Sequence, residues 1–301
     1  MGTPDFAVAG LQTLVENGYQ VVAVVTMPDK PAGRGYQLQY SPVKQYALEH
    51  HIDVLQPEKL KDPDFVTQLA SYKADLQVVV AFRMLPEIVW AMPRLGTFNL
   101  HASLLPQYRG AAPIQWAVIN GEKQTGVTTF MLKHEIDTGN IILQEKIEIG
   151  DDENVGSVHD RLMELGKNVI LRTVKLIDEC DQKHIALPTT EQPQADDLKP
   201  APKIFKETCQ IDFNQSCEHI HNFVRGLSPY PCAWANLTIN NTLYENVKIY
   251  HVTAHPTPLP PYSSTPLSVR CADGWIEIDE LQLPGKKRMD AKALLNGLRA
   301  H

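Results

Sequence analysis

The chain has 301 residues, which is enough to bury one large core or two moderate ones. Its composition of 43% hydrophobic and 21% charged residues is typical of a folded globular protein and argues against intrinsic disorder. No apolar run reaches the roughly 18–20 residues that a membrane helix needs, and the first residues lack the basic-then-apolar order of a secretory signal. We therefore expect a cytoplasmic protein with no membrane partner.

The net charge of −7 is spread unevenly along the chain. Residues 203–301 hold ten Lys and Arg against nine Asp and Glu, whereas residues 1–202 hold eighteen against twenty-six. The acidity therefore belongs to the first two thirds. The overall charge does not exclude a polyanion that binds to the last third.

Strand and helix patterns alternate over the first 186 residues. Apolar and β-branched runs predict strands at 19–26, 76–82, 96–103, 126–132 and 140–149. Helical spacing lies between them at 65–73 and 113–121. A further apolar face predicts a long helix from Ser157 to Cys180, with Ser157 as its N-cap. This alternation predicts an α/β domain with a Rossmann-like, mostly parallel sheet.

The last third has a different pattern. Residues 187–202, LPTTEQPQADDLKPAP, contain four prolines and predict an extended linker. After it, a helix at about 214–226 precedes short strands at 233–239, 247–254, 267–272 and 274–281, a pattern typical of a small, OB-like β-barrel. We therefore predict a first domain at 1–186, a linker at 187–202 and a second domain at 203–301.

The stretch NLHASLLPQYRG (99–110) places an asparagine and a histidine at the end of a predicted strand. Because side chains alternate along a strand, Asn99 and His101 share one face. In a parallel sheet, that end of the strand opens onto the ligand crevice. An amide there can donate to an oxyanion and an imidazole can carry a proton, while Asp137 in the turn of HEIDTGNII (134–142) could stabilise the imidazolium.

Spacing alone leaves an ordinary interpretation open. An Asn or His at a strand end is more often a turn former or a paired surface residue, and Asp-Thr-Gly is a common turn. From the residues alone, this region is no more than a plausible site.

Several longer stretches are similar to one known family. The segment FNLHASLLPQYRGAAPIQWAVINGE (98–122), with the continuation at 125–143, resembles the folate-dependent formyltransferases. The resemblance extends over nearly the whole chain and includes the second domain, which the purine-pathway members lack. The chain therefore resembles more specifically the branch of the family that acts on methionyl-tRNA. The other stretches that match this branch are 1–11, 28–44, 201–213 and 224–234.

The resemblance implies a reaction and its site. A formyl group would move from 10-formyltetrahydrofolate, the co-substrate, to the α-amine of initiator methionyl-tRNA, with Asn99, His101 and Asp137 as catalytic residues. Asn99 and protonated His101 would stabilise an oxyanion, and Asp137 would orient the imidazole. An α-amine with a pKa near ~8 is partly neutral at physiological pH, so no covalent enzyme intermediate is needed.

The resemblance also implies contacts with both substrates. Folate binding is implied for Ser103, Leu104, Leu105 and Pro106, which would otherwise form a simple strand-ending turn. In the Gly-rich loop at 29–38, Arg34 matches a tRNA-binding arginine, although such loops are commonly just surface. We expect a second tRNA contact at Lys286, Lys287 and Arg288, the densest basic run of the second domain. A monomer is expected.

The chain departs from the family in two places. Relatives have a strand before the stretch that begins here at Met1, so a strand is expected to be missing from the sheet and the sheet to be destabilised. Arg83 stands where relatives often have a glycine beside the pterin, so no folate contact is assigned to that loop.

Other functions are compatible with parts of the pattern. The nearest is a folate-dependent formyltransferase that acts on a sugar nucleotide or on glycinamide ribonucleotide. A nucleotide-binding oxidoreductase would need a Gly-x-Gly-x-x-Gly after a strand, which the chain lacks, and a non-catalytic tRNA-binding protein would not need Asn99, His101 and Asp137. The eleven histidines and five cysteines are dispersed without ligand spacing, so no metal site is predicted.

Overall fold

The computed structural model describes residues 1–32, 37–194, 196–256 and 267–299. The chain forms two compact units, and each unit is built from three separate stretches of the sequence. The N-terminal unit comprises Met1–Arg109, Gly126–Ile147 and Arg161–Lys199, and the C-terminal unit comprises Gly110–Thr125, Glu148–Asp160 and Pro200–His301. The continuous domain boundaries predicted from the sequence stay a prediction.

The α/β architecture of the first part is confirmed. A four-stranded sheet has the order β5-β6-β7-β8, with β5 parallel and β7 antiparallel to β6. Two further pairs are β1 with β4, in parallel, and β2 with β3. The strands are β1 (Ala23–Val25), β2 (Lys30–Ala32), β3 (Gln37–Gln39), β4 (Asp53–Leu55), β5 (Gln77–Val80), β6 (Thr97–His101), β7 (Gln124–Met131) and β8 (Ile141–Glu148).

Helices form at all three predicted places, although two of them end two residues earlier than predicted and the long helix extends two residues further at each end. They are α1 (Asp5–Glu16), α2 (Pro42–Glu49), α3 (Pro63–Ser71), α4 (Glu87–Trp90), α5 (Pro113–Ile119) and α6 (Val155–Gln182). The prediction of Ser157 as the N-cap of α6 was wrong. The carboxamide oxygen of Asn154 accepts the Ser157 N–H at 3.0 Å, so Asn154 caps the helix and Ser157 lies within its first turn.

The predicted strand at 19–26 is only three residues long, because β1 finds few backbone partners. On one side it pairs with the three residues of β4. On the other side, Gly2 donates to the Val25 carbonyl at 3.0 Å and forms a bridge with Val80 of β5. Met1 and Gly2 thus occupy the place of the expected first strand, and the remaining space between β1 and β5 is a cavity of about 630 Å³.

This cavity is separate from the predicted catalytic residues. Its walls are formed by α1, by residues 20–25, by residues 72–78 with Val80, and by one side of α6. Neither Asn99, His101 nor Asp137 lines it. It is therefore not a substrate pocket at the predicted site.

The C-terminal unit contains an antiparallel sheet of the predicted small-barrel type. The order is β11-β12-β10-β9, with β13 paired to β12, and a core cluster of buried apolar side chains lies between this sheet and α7. Its elements are a 3₁₀ turn (Glu207–Cys209), α7 (Cys217–Leu227), β9 (Ala233–Ile239), β10 (Thr242–His255), β11 (Ser268–Arg270), β12 (Trp275–Gln282), β13 (Met289–Asp290) and α8 (Ala291–Arg299). Among the described residues, no helix is long and apolar enough to span a membrane.

Candidate active site

Asn99 and His101 lie at the carboxyl end of β6. They are two positions apart, so their side chains leave the same face of the strand. His101 is buried, whereas Asn99 is partly exposed. The parallel neighbour β5 ends beside Leu100, so both strands end at the same edge of the sheet, where α/β folds bind their ligands.

Hydrogen bonding fixes the protonation pattern of His101. Its Nε2 lies 2.8 Å from the carbonyl oxygen of Tyr108. Because a carbonyl oxygen only accepts, Nε2 must carry a hydrogen. Nδ1 is therefore the nitrogen that can gain or lose a proton. It faces Asp137 Oδ2 at 3.9 Å, which is longer than a hydrogen bond but close enough for an ion pair with the imidazolium.

Asp137 lies in the loop between β7 and β8, which has a constrained backbone. The Asp137 side chain is mostly buried, at 14% exposed, and its φ of 55° lies in the left-handed region. Two residues later, a Cβ on Gly139 would lie 1.6 Å from the Met131 carbonyl oxygen, so only glycine fits there. The turn therefore directs the carboxylate towards His101 at the cost of an uncommon backbone conformation.

Gln192 holds this loop from outside. Its Nε2 donates to the carbonyl oxygens of Asp137 and Gly139, both at 2.8 Å. Its Oε1 accepts from Arg109 Nε at 3.2 Å and from Arg109 Nη2 at 2.6 Å. The carboxamide thus joins the Asp137 loop to the segment that follows Tyr108.

The rest of the predicted linker reaches the same two loops. Thr190 exchanges two backbone hydrogen bonds with Ile141, at 2.8 and 2.9 Å. The Lys199 carbonyl accepts the Tyr108 N–H at 2.7 Å, and the Lys199 N–H donates to Gln107 Oε1 at 2.8 Å. Residues 190–199, which we call the strap, therefore help to fix both the Tyr108 carbonyl and the Asp137 loop. This role is not predictable from the sequence, because a glutamine before a proline belongs to no pattern that indicates it.

The predicted folate loop is held by buried side chains. Ser103 is fully buried and its Oγ donates to the Gln107 carbonyl at 2.7 Å. Thr128 Oγ1 donates to the Ser103 carbonyl and accepts the Leu105 N–H, and Gln144 Nε2 donates to the Leu105 carbonyl. Ser103 and Leu105 thus stabilise the loop internally. Leu104 and Pro106 are only partly buried, so more of their surface is open to a ligand.

The predicted tRNA contacts differ in what the structure describes of them. Arg34 lies outside the described residues. Lys286 and Lys287 are exposed in the turn after β12, where Gln282 Nε2 donates to the Lys286 carbonyl at 2.7 Å. Arg288 forms an ion pair with Glu280, and its guanidinium carbon lies 4.2 Å from the centre of the Tyr250 ring. Part of its charge is therefore balanced within the protein.

One group of possible metal ligands occurs in the parts of the chain that the structure describes. Cys217, Cys271 and Asp273 place one ligand atom each within 4.8 Å of one another. All three belong to the C-terminal unit, whereas Asn99, His101 and Asp137 belong to the N-terminal unit.

Curated proteins with a very similar sequence span nearly the whole chain. The methionyl-tRNA formyltransferase of Bacteroides fragilis is 58% identical over 304 residues, covering 99% of this chain and 93% of that protein. The enzyme of the same name from Flavobacterium johnsoniae is 50% identical, covering 99% of this chain and 95% of its own length.

Solved structures share the fold at lower identity. A sugar 3N-formyl transferase, WlaRD, matches with a TM-score of 0.65 and 20% identity over 95% of this chain and 97% of its own. An N-formyltransferase from Helicobacter canadensis matches with a TM-score of 0.63 and 17% identity over 96% and 97%. At these identities, the match supports the fold alone.

Two family models match the two parts of the chain. The model described as formyl transferase matches residues 1–174, and the model described as formyl transferase, C-terminal domain, matches residues 203–299. The first alone covers more than half of the 301 residues. The resemblance found in the sequence is therefore confirmed, and the chain belongs to the formyl transferase family.

Proposed function

We propose that the protein transfers the formyl group of 10-formyltetrahydrofolate to the α-amine of initiator methionyl-tRNA. The observation that carries this proposal is the arrangement of His101 and Asp137 beside Asn99 at the carboxyl end of β6. The name of the relatives that are 50–58% identical over nearly the full chain supports the acceptor. Of the alternatives from the sequence, transfer to a sugar amine is supported only by folds that are 17–20% identical.

The residues at this edge of the sheet fit an amide-like formyl donor. The set contains an amide donor, an imidazole and a carboxylate, which can stabilise an oxyanion and move a proton. When bound, 10-formyltetrahydrofolate supplies an activated formyl carbon. We propose Leu104 and Pro106, on the loop held by Ser103 and Leu105, as the surface that folate contacts.

Each catalytic residue has a distinct proposed role. Attack by the α-amine places negative charge on the formyl oxygen, and the Asn99 amide donates a hydrogen bond to that charge. The amine must lose a proton as the new bond forms, and His101 Nδ1 is the ring nitrogen free to accept it, since Nε2 is held by Tyr108. The bond between the formyl carbon and N10 of the donor would then break, and His101 would give the proton to N10 as tetrahydrofolate leaves. Asp137, 3.9 Å away, stabilises the imidazolium and fixes the ring.

We further propose that residues 1–186 form the catalytic domain, that 187–202 link it to the next, and that 203–301 form the tRNA-binding domain. The family matches at 1–174 and 203–299 support this division. Lys286 and Lys287 are the proposed phosphate contacts, with Arg288 contributing less because of Glu280. Arg34 is proposed as a second contact. A monomer acting in the cytoplasm, where initiator tRNA is used, completes the proposal.

The decisive experiment measures formyl transfer to two charged tRNAs. The full chain is incubated with 10-formyltetrahydrofolate and either initiator or elongator methionyl-tRNA. We expect formylmethionyl-tRNA from the initiator only. Transfer to a sugar nucleotide amine or glycinamide ribonucleotide in place of tRNA would overturn the proposed acceptor.

A separate experiment tests the tRNA surface. We expect the double substitution Lys286→Ala with Lys287→Ala to weaken tRNA binding and to reduce the salt dependence of log K by about two, as expected when two phosphate contacts are lost. The control is Lys59→Ala with Lys61→Ala, which removes two exposed lysines from the N-terminal unit. An equal change of slope in both variants would show a general charge effect and not a binding surface.

A further inference from the structure

Two cysteine side chains touch in the C-terminal unit. Cys217 is the first residue of α7, Cys271 follows β11, and their Sγ atoms lie 2.7 Å apart. Both residues are buried, at 0% and 6% exposed. The Cys217 thiol also lies within reach of the carbonyl oxygens of His255 and Trp275, at 3.6 and 3.5 Å. The buried thiols of Cys209 and Cys232 donate to backbone carbonyls and contact no other thiol among the described residues.

The backbone around both cysteines fixes this contact. The Cys217 N–H donates to Asp273 Oδ1 at 2.7 Å, and the Ala272 N–H donates to the Gln215 carbonyl at 3.0 Å. The Cys271 N–H closes its own turn by donating to the Gly274 carbonyl at 3.0 Å. Residues 215–217 and 271–274 are thus hydrogen-bonded to each other directly. These hydrogen bonds hold the backbones of the two cysteines side by side.

We infer that Cys217 and Cys271 are a disulfide-forming pair, which an oxidant converts into a covalent link between the start of α7 and the turn before β12. The observed Sγ separation exceeds the ~2.05 Å of a disulfide by about 0.7 Å, a gap that a small rotation of the side chains closes.

The reaction with hydrogen peroxide is balanced with these two thiols alone. One thiolate attacks a peroxide oxygen and becomes a sulfenic acid, and the O–O bond breaks to release water after protonation. The second thiol then attacks the sulfenic sulfur, forming the S–S bond and releasing a second water. The two thiols lose two electrons and two protons, which the peroxide accepts.

The same geometry disfavours a metal ion at this place. Two thiolates on a tetrahedral zinc lie ~3.8 Å apart, given Zn–S bonds of about 2.3 Å. The Asp273 oxygen already accepts from the Cys217 backbone. Zinc ligands must also be deprotonated, and burial, with a smaller effect of the Cys271 thiol, raises the pKa of Cys217 to about 12.

The raised pKa of the Cys217 thiol disfavours its thiolate, the form that reacts with peroxide, and burial of both side chains limits access of the oxidant. The pair is therefore poorly suited to rapid redox sensing. Linking residues 217 and 271 restricts the unfolded chain and should stabilise the C-terminal unit. The N-terminal unit, which contains His101, has no part in the bond.

The test uses the full chain in two arms. In the first, the folded protein is incubated with hydrogen peroxide for hours; in the second, it is unfolded and refolded in a glutathione redox buffer, so that burial cannot limit access. We expect loss of the mass of two hydrogen atoms, a linked peptide pair containing Cys217 and Cys271, and a midpoint of thermal unfolding about 5–10 °C higher. Dithiothreitol should reverse all three.

Single substitutions identify the thiols involved. Cys217→Ser and Cys271→Ser should each abolish the cross-link, whereas Cys209→Ser, a change at another buried cysteine of the same core cluster, should leave it intact. The inference is overturned if neither arm forms the bond, if the linked peptides contain other cysteines, or if the isolated protein holds zinc that protects both thiols.

Discussion

The two sides of the N-terminal unit differ in how their polar groups are satisfied. Around β6, the buried imidazole of His101 has a carbonyl partner at 2.8 Å and a carboxylate at 3.9 Å. Around β1, the amino group of Met1 is enclosed beside the cavity, with the Val78 carbonyl as its partner at 2.7 Å and no carboxylate in ion-pair distance among the described residues. One side is arranged to stabilise a charge, and the other is not.

The difference shows where each region is sensitive. At the β6 edge, function depends on the position of a few side chains, so conservative substitutions should change turnover more than stability. At the Met1 side, no side chain compensates a buried charge, so the protonation of one amino group should change stability. Substitutions and pH changes can test this contrast directly.

The largest effect is expected from the residues on β6. Asn99→Ala removes the proposed oxyanion donor, and His101→Ala removes the proposed proton carrier. Loss of one such donor typically lowers kcat by about 10²–10³, and we expect a fall of that size for each variant in the formyl transfer assay. The free energy of unfolding should change much less for Asn99→Ala, because that side chain is partly exposed.

A neighbouring histidine provides the control. His134 lies three residues before Asp137, but its side chain is 74% exposed. His134→Ala should therefore keep near-normal turnover. If His101→Ala did the same, the assignment of His101 would be wrong.

The sequence predicted which residues form the site, but not the residues whose hydrogen bonds hold the loops of the site in place. Alternation along a strand was enough to put Asn99 and His101 on one face, and the resemblance added Asp137. The contacts of Gln192 and Lys199 were not predictable, because they join residues that lie 53 to 92 positions apart in sequence. Such hydrogen bonds depend on the tertiary path of the chain and leave no local periodicity.

Element bounds show the same dependence on partners. The predicted strand at 233–239 agrees with β9, whereas β10 begins at Thr242, five residues before its prediction. The turn residues Asn240 and Asn241 both have positive φ, which closes a tight hairpin and lets the paired strand extend. Glu245 and Asn246, at a register shift between Tyr244 and Val247, interrupt the apolar pattern and concealed that extension. For β1 the observed strand is shorter than the predicted one, because only three residues of the apolar run at 19–26 pair with a neighbouring strand.

The next largest effect is expected from pH. Burial lowers the pKa of the Met1 amino group from its ordinary value of 8 to about 5, although other atoms of Met1 reach the cavity surface. Between pH 5 and pH 8, the unfolded chain therefore binds a proton that the folded chain lacks. The free energy of unfolding should rise with pH over this window, by on the order of 3 kcal/mol from this group.

Acetylation of the amino terminus isolates this contribution. The acetylated chain has no proton to bind there, so its stability should change less between pH 5 and pH 8. Chemical denaturation at several pH values measures the difference between the two forms. Identical pH profiles would show that the amino group keeps its ordinary pKa. The charged amino group of Met1 would then be stabilised as well as the charged imidazole beside β6.

The smallest effect concerns the strap. Gln192→Ala removes the two hydrogen bonds that hold the carbonyls of Asp137 and Gly139, and it leaves Arg109 without its acceptor on this side chain. Misplacement of the carboxylate should lower kcat by about tenfold, or 1.4 kcal/mol, with a smaller change in KM for the formyl donor. The pH dependence of kcat should also shift, because Asp137 stabilises the protonated His101.

Gln194 offers a matched control, since it is the same residue type two positions along the strap and its side chain is exposed. Gln194→Ala should leave kcat and its pH profile unchanged. If Gln192→Ala lowered the unfolding temperature but left the pH profile of kcat intact, the strap would only stabilise the fold. A shifted profile at unchanged stability would instead show that the geometry between His101 and Asp137 is set by a residue outside both catalytic loops.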